Sequence, residues 1–445
     1  MKRFSSYLTY PVLIGLVSFF LFLAKYEFII ALGLGYTVFI FFLFMVRLGK
    51  TIPILELILL MASLQWILGA HFSYSAGFEH FKYIMYVSEL EYMMLVVPSI
   101  LSFSVGIFIF YPKLNLEGIN DSLTSLVTQQ PSLPYIFVAL GFAGDFIAPS
   151  LSGIIGFAAY LTKSLKYVGL GLMIFQKTRN KWLYFTLIMG LTLVNSIVSG
   201  SFHDLLLWSA LMFSLVAVKN EFNFLSKFLL VLSGMFFAFI LQTSKQEYRE
   251  NIVGKSREER VQIFSEVVQS RVTDLSTLFQ SGYLEMTNVR LNQGWIISAV
   301  LNHVPKYEPY ANGETVYDAA LAAIFPRFLM PDKKKAGGRE NYRRFTGLNI
   351  SDQTSMGISI VGEAYANYGL QGAYVFMFVW GSFLSWTVKF FSSYSSTKKV
   401  VFVFLPLIYL QVIKAETELV VVLNHLVKSS IFVLIILWMI TADRE

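Results

Sequence analysis

Seven basic residues and two acidic ones fall within residues 327–344, a local excess of five positive charges. The stretch begins Ile324-Phe325-Pro326-Arg327-Phe328-Leu329-Met330-Pro331-Asp332-Lys333-Lys334-Lys335 and continues through Gly337, Gly338, Arg339, Arg343 and Arg344. Pro326 and Pro331 bracket Arg327 and restrict the backbone on both sides of it. Gly337 and Gly338 permit a tight turn and the close approach of a ligand. Arg offers fork-shaped bidentate donors and Lys a compact point charge, so the cluster suits a diphosphate. A basic patch drawn to anionic lipid head groups fits the same residues, although the proline-fixed Arg327 favours the sharper reading.

A second group of chemically able residues lies at Gly362-Glu363-Ala364-Tyr365-Ala366-Asn367-Tyr368-Gly369-Leu370-Gln371-Gly372. Glu363 opens an apolar stretch, where the helix dipole favours a carboxylate. Beside a basic cluster, it is also placed to orient a cation or take a hydroxyl proton. Upstream, a helical pattern over 284–304 sets Arg290 one turn before Trp295 and ahead of an apolar face of Ile296, Ile297, Val300 and Leu301. Such an Arg either points into a membrane-side cavity or is a solvated surface charge. Earlier still, Val261, Phe264, Val267 and Val268 recur at helical spacing within Lys245–Arg271. That amphipathic helix lies on a membrane surface or packs on the rest of its segment.

The frame that must position these groups is a membrane protein. Of 445 residues, 56% are hydrophobic and 14% charged, against about 25% charged in an ordinary soluble domain. A soluble chain would expose too much apolar surface at this composition, and a disordered one would be poorer in aromatics. Cysteine is absent, which rules out disulfides, iron–sulfur clusters, thiolate zinc sites and cysteine nucleophiles. The net charge of +7 needs no nucleic-acid partner, because membrane proteins keep Lys and Arg on cytoplasmic loops.

Charges are unevenly spread: residues 245–362 hold 28 of them in 118 residues, and the other 327 residues carry 35. The expected organisation is a transmembrane region at 1–244 of about nine helices, a mostly helical external loop at 245–362, and about three helices at 363–445. Stretches of ~20 apolar residues give twelve spans, at 7–24, 27–46, 52–70, 93–111, 134–151, 153–176, 182–200, 204–219, 228–244, 364–388, 400–414 and 418–441. With Lys2 and Arg3 inside, fourteen Lys and Arg fall on cytoplasmic loops and three (Lys25, Lys82, Lys414) on short outer ones. This bias puts both termini in the cytoplasm and the 245–362 loop outside. The first apolar stretch lacks a cleavage site and reads as a retained helix. Six charges lie inside expected spans, namely Glu56, Asp145, Lys163, Lys166, Asp204 and Lys428, where such groups face a cavity or a partner.

At the 326–333 run and the 362–372 run, the chain resembles the O-antigen polymerase (Wzy-type) family of bacterial polysaccharide synthesis. Many spans with one large late external loop complete the likeness. The resemblance implies an all-α polytopic glycosyltransferase similar to the GT-C type B fold, in the bacterial inner membrane with its catalytic loop periplasmic. It implies polymerisation of undecaprenyl-diphosphate-linked oligosaccharide repeat units into a surface glycan such as the O-antigen of lipopolysaccharide. Donor and acceptor are both lipid-linked, and a chain-length regulator protein is a possible partner. The related O-antigen ligases carry a His shortly before the Gly-Leu-x-Gly run. Residues 351–368 contain none, and His303 is the one loop histidine, which favours polymerase over ligase.

Such a transfer develops negative charge on the leaving diphosphate, and pre-placed cations in a poorly hydrated site stabilise it. Arg290 and Arg327 are the first choices, with Lys333 and Arg339 in support and Arg343, Arg344 and His303 as further substrate contacts. Glu363, then Asp318, then Asp352 are the candidate bases for the acceptor hydroxyl. No metal or cofactor is expected: the loop has no Asp-x-Asp, and the five histidines form no i,i+4 pair. Two other activities share much of this sequence signature, a ligase that moves glycan to a lipid core and a lipid-linked oligosaccharide flippase.

Overall fold

Lipid offers no partner for backbone polar groups, so apolar runs of this length must become helices. In the computed structural model every regular element among the described residues is helical. The described residues are 2–442 apart from 77–82, 112–117, 152, 179, 221, 275–280, 326–328, 331–332, 335–336, 353 and 395–399. In chain order the helices are α1 (Lys2–Leu23), α2 (Phe28–Arg47), α3 (Ile54–Ser75), α4 (Glu89–Ile109), α5 (Ile119–Gln129) and α6 (Leu133–Ile147). They continue as α7 (Gly153–Phe175), α8 (Lys181–Ser199), α9 (His203–Asn220), α10 (Phe224–Asn251), α11 (Arg257–Thr273) and α12 (Ser281–Leu291). The remainder are α13 (Gly294–His303), α14 (Glu314–Ile324), α15 (Arg339–Thr346), α16 (Ser359–Tyr394), α17 (Val401–Tyr409) and α18 (Leu419–Ala442).

Eight helices among the described residues are long and apolar enough to cross a membrane, against the twelve spans expected. They are α2, α3, α4, α6 with the turn that follows it, α8, most of α10, α16 and α18. The other four expected positions are also helical. The apolar part of α1, Leu8–Leu23, is short; α7 carries Lys163 and Lys166; α9 opens on a charge; α17 has only 9 residues. The chain is a helical membrane protein.

Small residues let spanning helices approach closely, which matters where lipid supplies little drive for helices to associate. The tightest case joins α4 and α16. A Cβ on Gly106 would stand 2.2 Å from the Phe378 carbonyl oxygen, and one on Gly381 would stand 2.2 Å from that of Phe103. Charges within the apolar region have partners. Glu56, 1% exposed, takes Arg47 at 2.9 Å and the Tyr111 hydroxyl at 2.7 Å. Asp145 meets Lys166 Nζ at 2.5 Å, and Lys163 lies over the Tyr160 ring.

Two apolar cores result. The main one runs through most spanning helices together with α13 and α14. A smaller one gathers Ile197, Phe202, Leu205, Leu241, Tyr248, Ile252 and Phe264 where α11 folds back on α8, α9 and α10. Of the two readings of the 245–271 pattern, α11 shows packing on its own protein, with Val261, Phe264 and Val268 turned to this core. Its start is fixed by a capping box, in which Ser256 and Glu259 exchange side-chain and backbone hydrogen bonds.

Gly381→Leu should lower the unfolding temperature in detergent, because overpacking costs about 1–3 kcal/mol or more. Gly234→Leu, on a helix face with nothing within 4 Å, should leave it unchanged in the same melt.

Candidate functional site

The α8–α9 turn ends with Gly200 in the left-handed conformation at φ 63°, which leaves the last carbonyls of α8 facing outward. Cations are favoured there by the helix dipole. Arg249 Nε donates to the Gly200 carbonyl at 2.9 Å, and Arg260 donates to that of Val198 at 2.8 Å. Tyr248 hydroxyl adds a bond to the Ile197 carbonyl at 2.5 Å. The end of α10 is thereby held against α8, which sets Lys245 and Arg249 in place.

Arg290 comes to the same place from α12. The chain expected to be one helix over 284–304 is broken at Asn292 and Gln293, so Arg290 sits in the last turn of α12 instead of at the head of a helix over Trp295. The break has a cause in packing. Asn288 and Asn292 both donate to Ser73 Oγ at 2.7 Å, and Gln293 N–H donates to the Gln65 carbonyl. The result brings Arg290 close enough to act on both Lys245 and Arg249 electrostatically. Burial and Arg290 together lower the Arg249 pKa. Among the described residues neither Lys245 nor Arg290 has a carboxylate partner.

Next to these cations lie His203 and the 411–416 segment. Lys414 pairs with Asp204 at 3.5 Å, and His203 Nδ1 stands 3.9 Å from Glu416. Burial, then Lys414, hold the His203 pKa below its ordinary 6.5, so the ring is neutral at pH 7. The same elements carry buried polar atoms with no hydrogen-bond partner: Gln242 Oε1, Ser244 Oγ, His203 Nε2, Thr287 Oγ1, Asn288 Oδ1 and Glu416 Oε2. Buried polar groups are almost always satisfied in proteins, by water where protein does not supply the partner, so these atoms are open to water or to a polar ligand. Uncompensated cations set the sign of such a ligand as negative.

The other residues singled out by sequence fall elsewhere. Arg327 lies outside the described residues. Arg339 and Arg343 both reach Asp352, with Arg343 at 3.0 Å, and both also donate to carbonyls of 350–354. Arg344 bridges Glu308 at 2.6 Å and Glu314 at 2.8 Å, which holds the Glu314 carboxyl below its ordinary range. Lys333 donates to the Ala322 and Phe325 carbonyls at the end of α14. Asp318 faces Lys334 at 3.9 Å. His303 stacks on Tyr307. The expected single basic pocket is therefore divided into small groups with protein partners, and Arg290 has its charge neighbours on α10.

Glu363 departs furthest from expectation. It is 1% exposed, not at an open boundary, and both oxygens are engaged. One accepts from Thr315 Oγ1 at 2.7 Å and the other from the Leu419 N–H at 2.8 Å, capping α18 instead of its own helix. Asn367 donates to Thr315 Oγ1 and accepts from the Gly313 N–H. Gly369, at φ 67°, breaks α16, while the carbonyls of Ala366 and Asn367 accept from Ala311 and Asn312. The 362–372 motif is thus a dock for α14 and α18. Among the described residues no three His, Asp or Glu side chains gather as metal ligands.

No family model, curated protein or solved structure matches the chain.

Lys245, Arg249, His203, Lys414 and Glu416 were not singled out by the sequence. A signal was present in Lys245 and Arg249, like charges four apart on one helix, an arrangement disfavoured unless something compensates it.

Glu418 makes a measurable companion to Glu363. It accepts from Asn341 Nδ2 at 2.9 Å, and burial, then the Glu363 charge, push its pKa from 4.5 up to about 7. The folded chain then keeps a proton that the unfolded chain releases. Stability should fall as pH rises from about 4.5 to about 7 and level off above, by up to roughly 3 kcal/mol. Glu418→Gln should flatten that slope in denaturation curves taken across the window.

Proposed function

We propose that the chain is a glycosyltransferase that polymerises polyprenyl-diphosphate-linked oligosaccharide repeat units on the outer side of a bacterial inner membrane. The observation that carries this reading is the group Lys245, Arg249 and Arg290, three neighbouring cations of which Lys245 and Arg290 have no carboxylate partner among the described residues. A diphosphate is the natural counter-charge: it is compact, multiply negative and able to accept from several donors at once. Support also comes from the 326–333 and 362–372 runs, which resemble the Wzy-type polymerases, and from the many spanning helices. A GT-C type B arrangement, up to twelve spans, cytoplasmic termini and a periplasmic 245–362 segment belong to the same proposal.

In this scheme the sugar chain moves from the donor's anomeric carbon to a hydroxyl of the acceptor repeat unit. The bond to the diphosphate oxygen breaks, and the charge left on that oxygen is met by Arg290, Arg249 and Lys245. The acceptor proton needs a base. His203, neutral at pH 7, and Glu416 stand beside the cations, whereas Glu363 is enclosed by its own hydrogen bonds. The flippase alternative drew on intramembrane charges. Glu56 and the Asp145–Lys166 pair now have protein partners, which weakens that draw.

Purified protein given short lipid-linked repeat units should yield a ladder of longer glycans without added nucleotide. Transfer only to a lipid core acceptor indicates a ligase, and transbilayer movement without transfer indicates a flippase. Arg290→Ala should slow ladder formation by a factor of roughly 10² or more, the cost of losing one transition-state donor. Arg344→Ala, which removes a guanidinium paired to Glu308 and Glu314, should leave the rate per folded molecule within a few-fold of the parent.

A further inference from the structure

On the reading of Lys245, Arg249 and Arg290 as a diphosphate site, we infer that the polyprenyl chain of the bound lipid runs along α10 through a gap beside Met235. Lys245 and Arg249 lie on one stripe of α10 with Val231, Met235 and Gln242, at the three- and four-residue spacing of a helix face. Both ends of that stripe have neighbours. Val231 touches the main core, and Phe228 beside it meets the Phe41 ring of α2. At the other end Arg249 is held by the Gly200 carbonyl, and Arg290 comes in from α12.

Between these ends the helix is bare. No residue from Phe228 to Phe239 is buried, over about 18 Å of rise. Met235, on the stripe, is 49% exposed, as bare as Phe236 at 45% on the face that Leu225, Leu229 and Leu232 turn outward. A Cβ on the adjacent Gly234 would have nothing within 4 Å. The lightly buried α8 shows the ordinary pattern, with Ile188, Thr192 and Ser196 keeping one face inward through its middle. α10 is instead a pillar, fastened at both ends and standing off the bundle between them.

Spanning helices associate by close packing, so a gap of this kind is filled by hydrocarbon from outside the chain. Charge selects which hydrocarbon. From Met235 the stripe runs past Gln242, whose buried side-chain oxygen has no partner among the described residues, to Lys245 about 15 Å along the helix. A lipid whose anionic head meets the cations has its chain led back to Met235 by the same face. A polyprenyl chain is long enough to cross the gap and continue into the bilayer. Met suits such an occupant, because its flexible thioether adapts to an irregular, branched surface.

The absence of cysteine from the chain makes the test direct. Met235→Cys on the stripe and Phe236→Cys on the outward face are labelled with bimane in the full-length protein. Each is reconstituted in vesicles containing phosphatidylcholine spin-labelled at mid-chain, where both labels should be quenched. Undecaprenyl diphosphate should restore the fluorescence at position 235 and leave position 236 quenched. Inorganic diphosphate, which has no chain, and undecaprenol, which has no charge, should restore neither at the same concentration. Co-purification of radiolabelled undecaprenyl diphosphate with the solubilised protein is measured alongside, for the parent and for Arg290→Ala. Lipid retained through Arg290 while position 235 stays quenched overturns the chain site and leaves the diphosphate reading intact. No retention by the parent overturns both. A label at position 235 that is unquenched from the outset shows the gap closed by another protein chain, which also overturns the inference. Gly234→Cys gives the same readout if Met235→Cys fails to fold.

Discussion

One buried carboxylate joins three parts of this protein. Glu363 lies on α16, and its two oxygens receive the Thr315 hydroxyl of α14 and the first backbone N–H of α18. An ionisable group this deep is costly unless its hydrogen-bonding capacity is filled. Here it is filled by elements distant in sequence, so one side chain ties both of them to α16. Asn367, one turn later, repeats the pattern with Gly313 and Thr315. Because Gly369 interrupts the helix just beyond, the carbonyls of Ala366 and Asn367 are free to accept from the 311–312 turn. Fixing α14 and α18 in this way also fixes the 411–417 segment between α17 and α18, where Lys414 and Glu416 sit.

The cationic group at the ends of α10 and α12 raises the opposite problem, holding like charges together. The α8 terminus solves part of it, since its outward carbonyls engage Arg249 and the dipole favours a positive neighbour. Arg260 contributes to the same terminus from α11. Ser73 fixes α12 through two asparagines, and Lys245 ends the apolar part of α10. Arg249 is thus held through its own guanidinium, whereas Lys245 and Arg290 are brought in by the helices that carry them. Fixed cations of this kind are what the proposed diphosphate chemistry would draw on.

Much of the frame was legible in the sequence, because apolar runs of sufficient length have one outcome in a membrane. That Asp145 would meet a cation of the neighbouring apolar stretch was legible too, but the choice of Lys166 over Lys163 was not. The site was less so. A run such as 333–344 advertises charge density, but density does not say which charges are already met. Asp352, Glu308 and Glu314 come from other parts of the segment, and their pairing with Arg339, Arg343 and Arg344 depends on tertiary folding. Glu363 was misplaced for a related reason: its position at a helix start suggested its own dipole, whereas the neighbouring helix supplied the bond. Arg290 was singled out on the premise of an unbroken helix, which contacts with Gln65 and Ser73 interrupt.

The smaller core around Phe202, Tyr248 and Phe264 shares no fully buried residue with the main one. Cooperative units of a protein tend to follow such divisions. The α11 arm can thus loosen at the expense of its own few contacts while the α4–α16 pair, locked by Gly106 and Gly381, stays intact. Arg249 sits along that seam, bonded to one side and facing charges on the other. A change in how α11 seats would therefore be felt at Arg249, since Arg260 on that arm bonds the same α8 terminus.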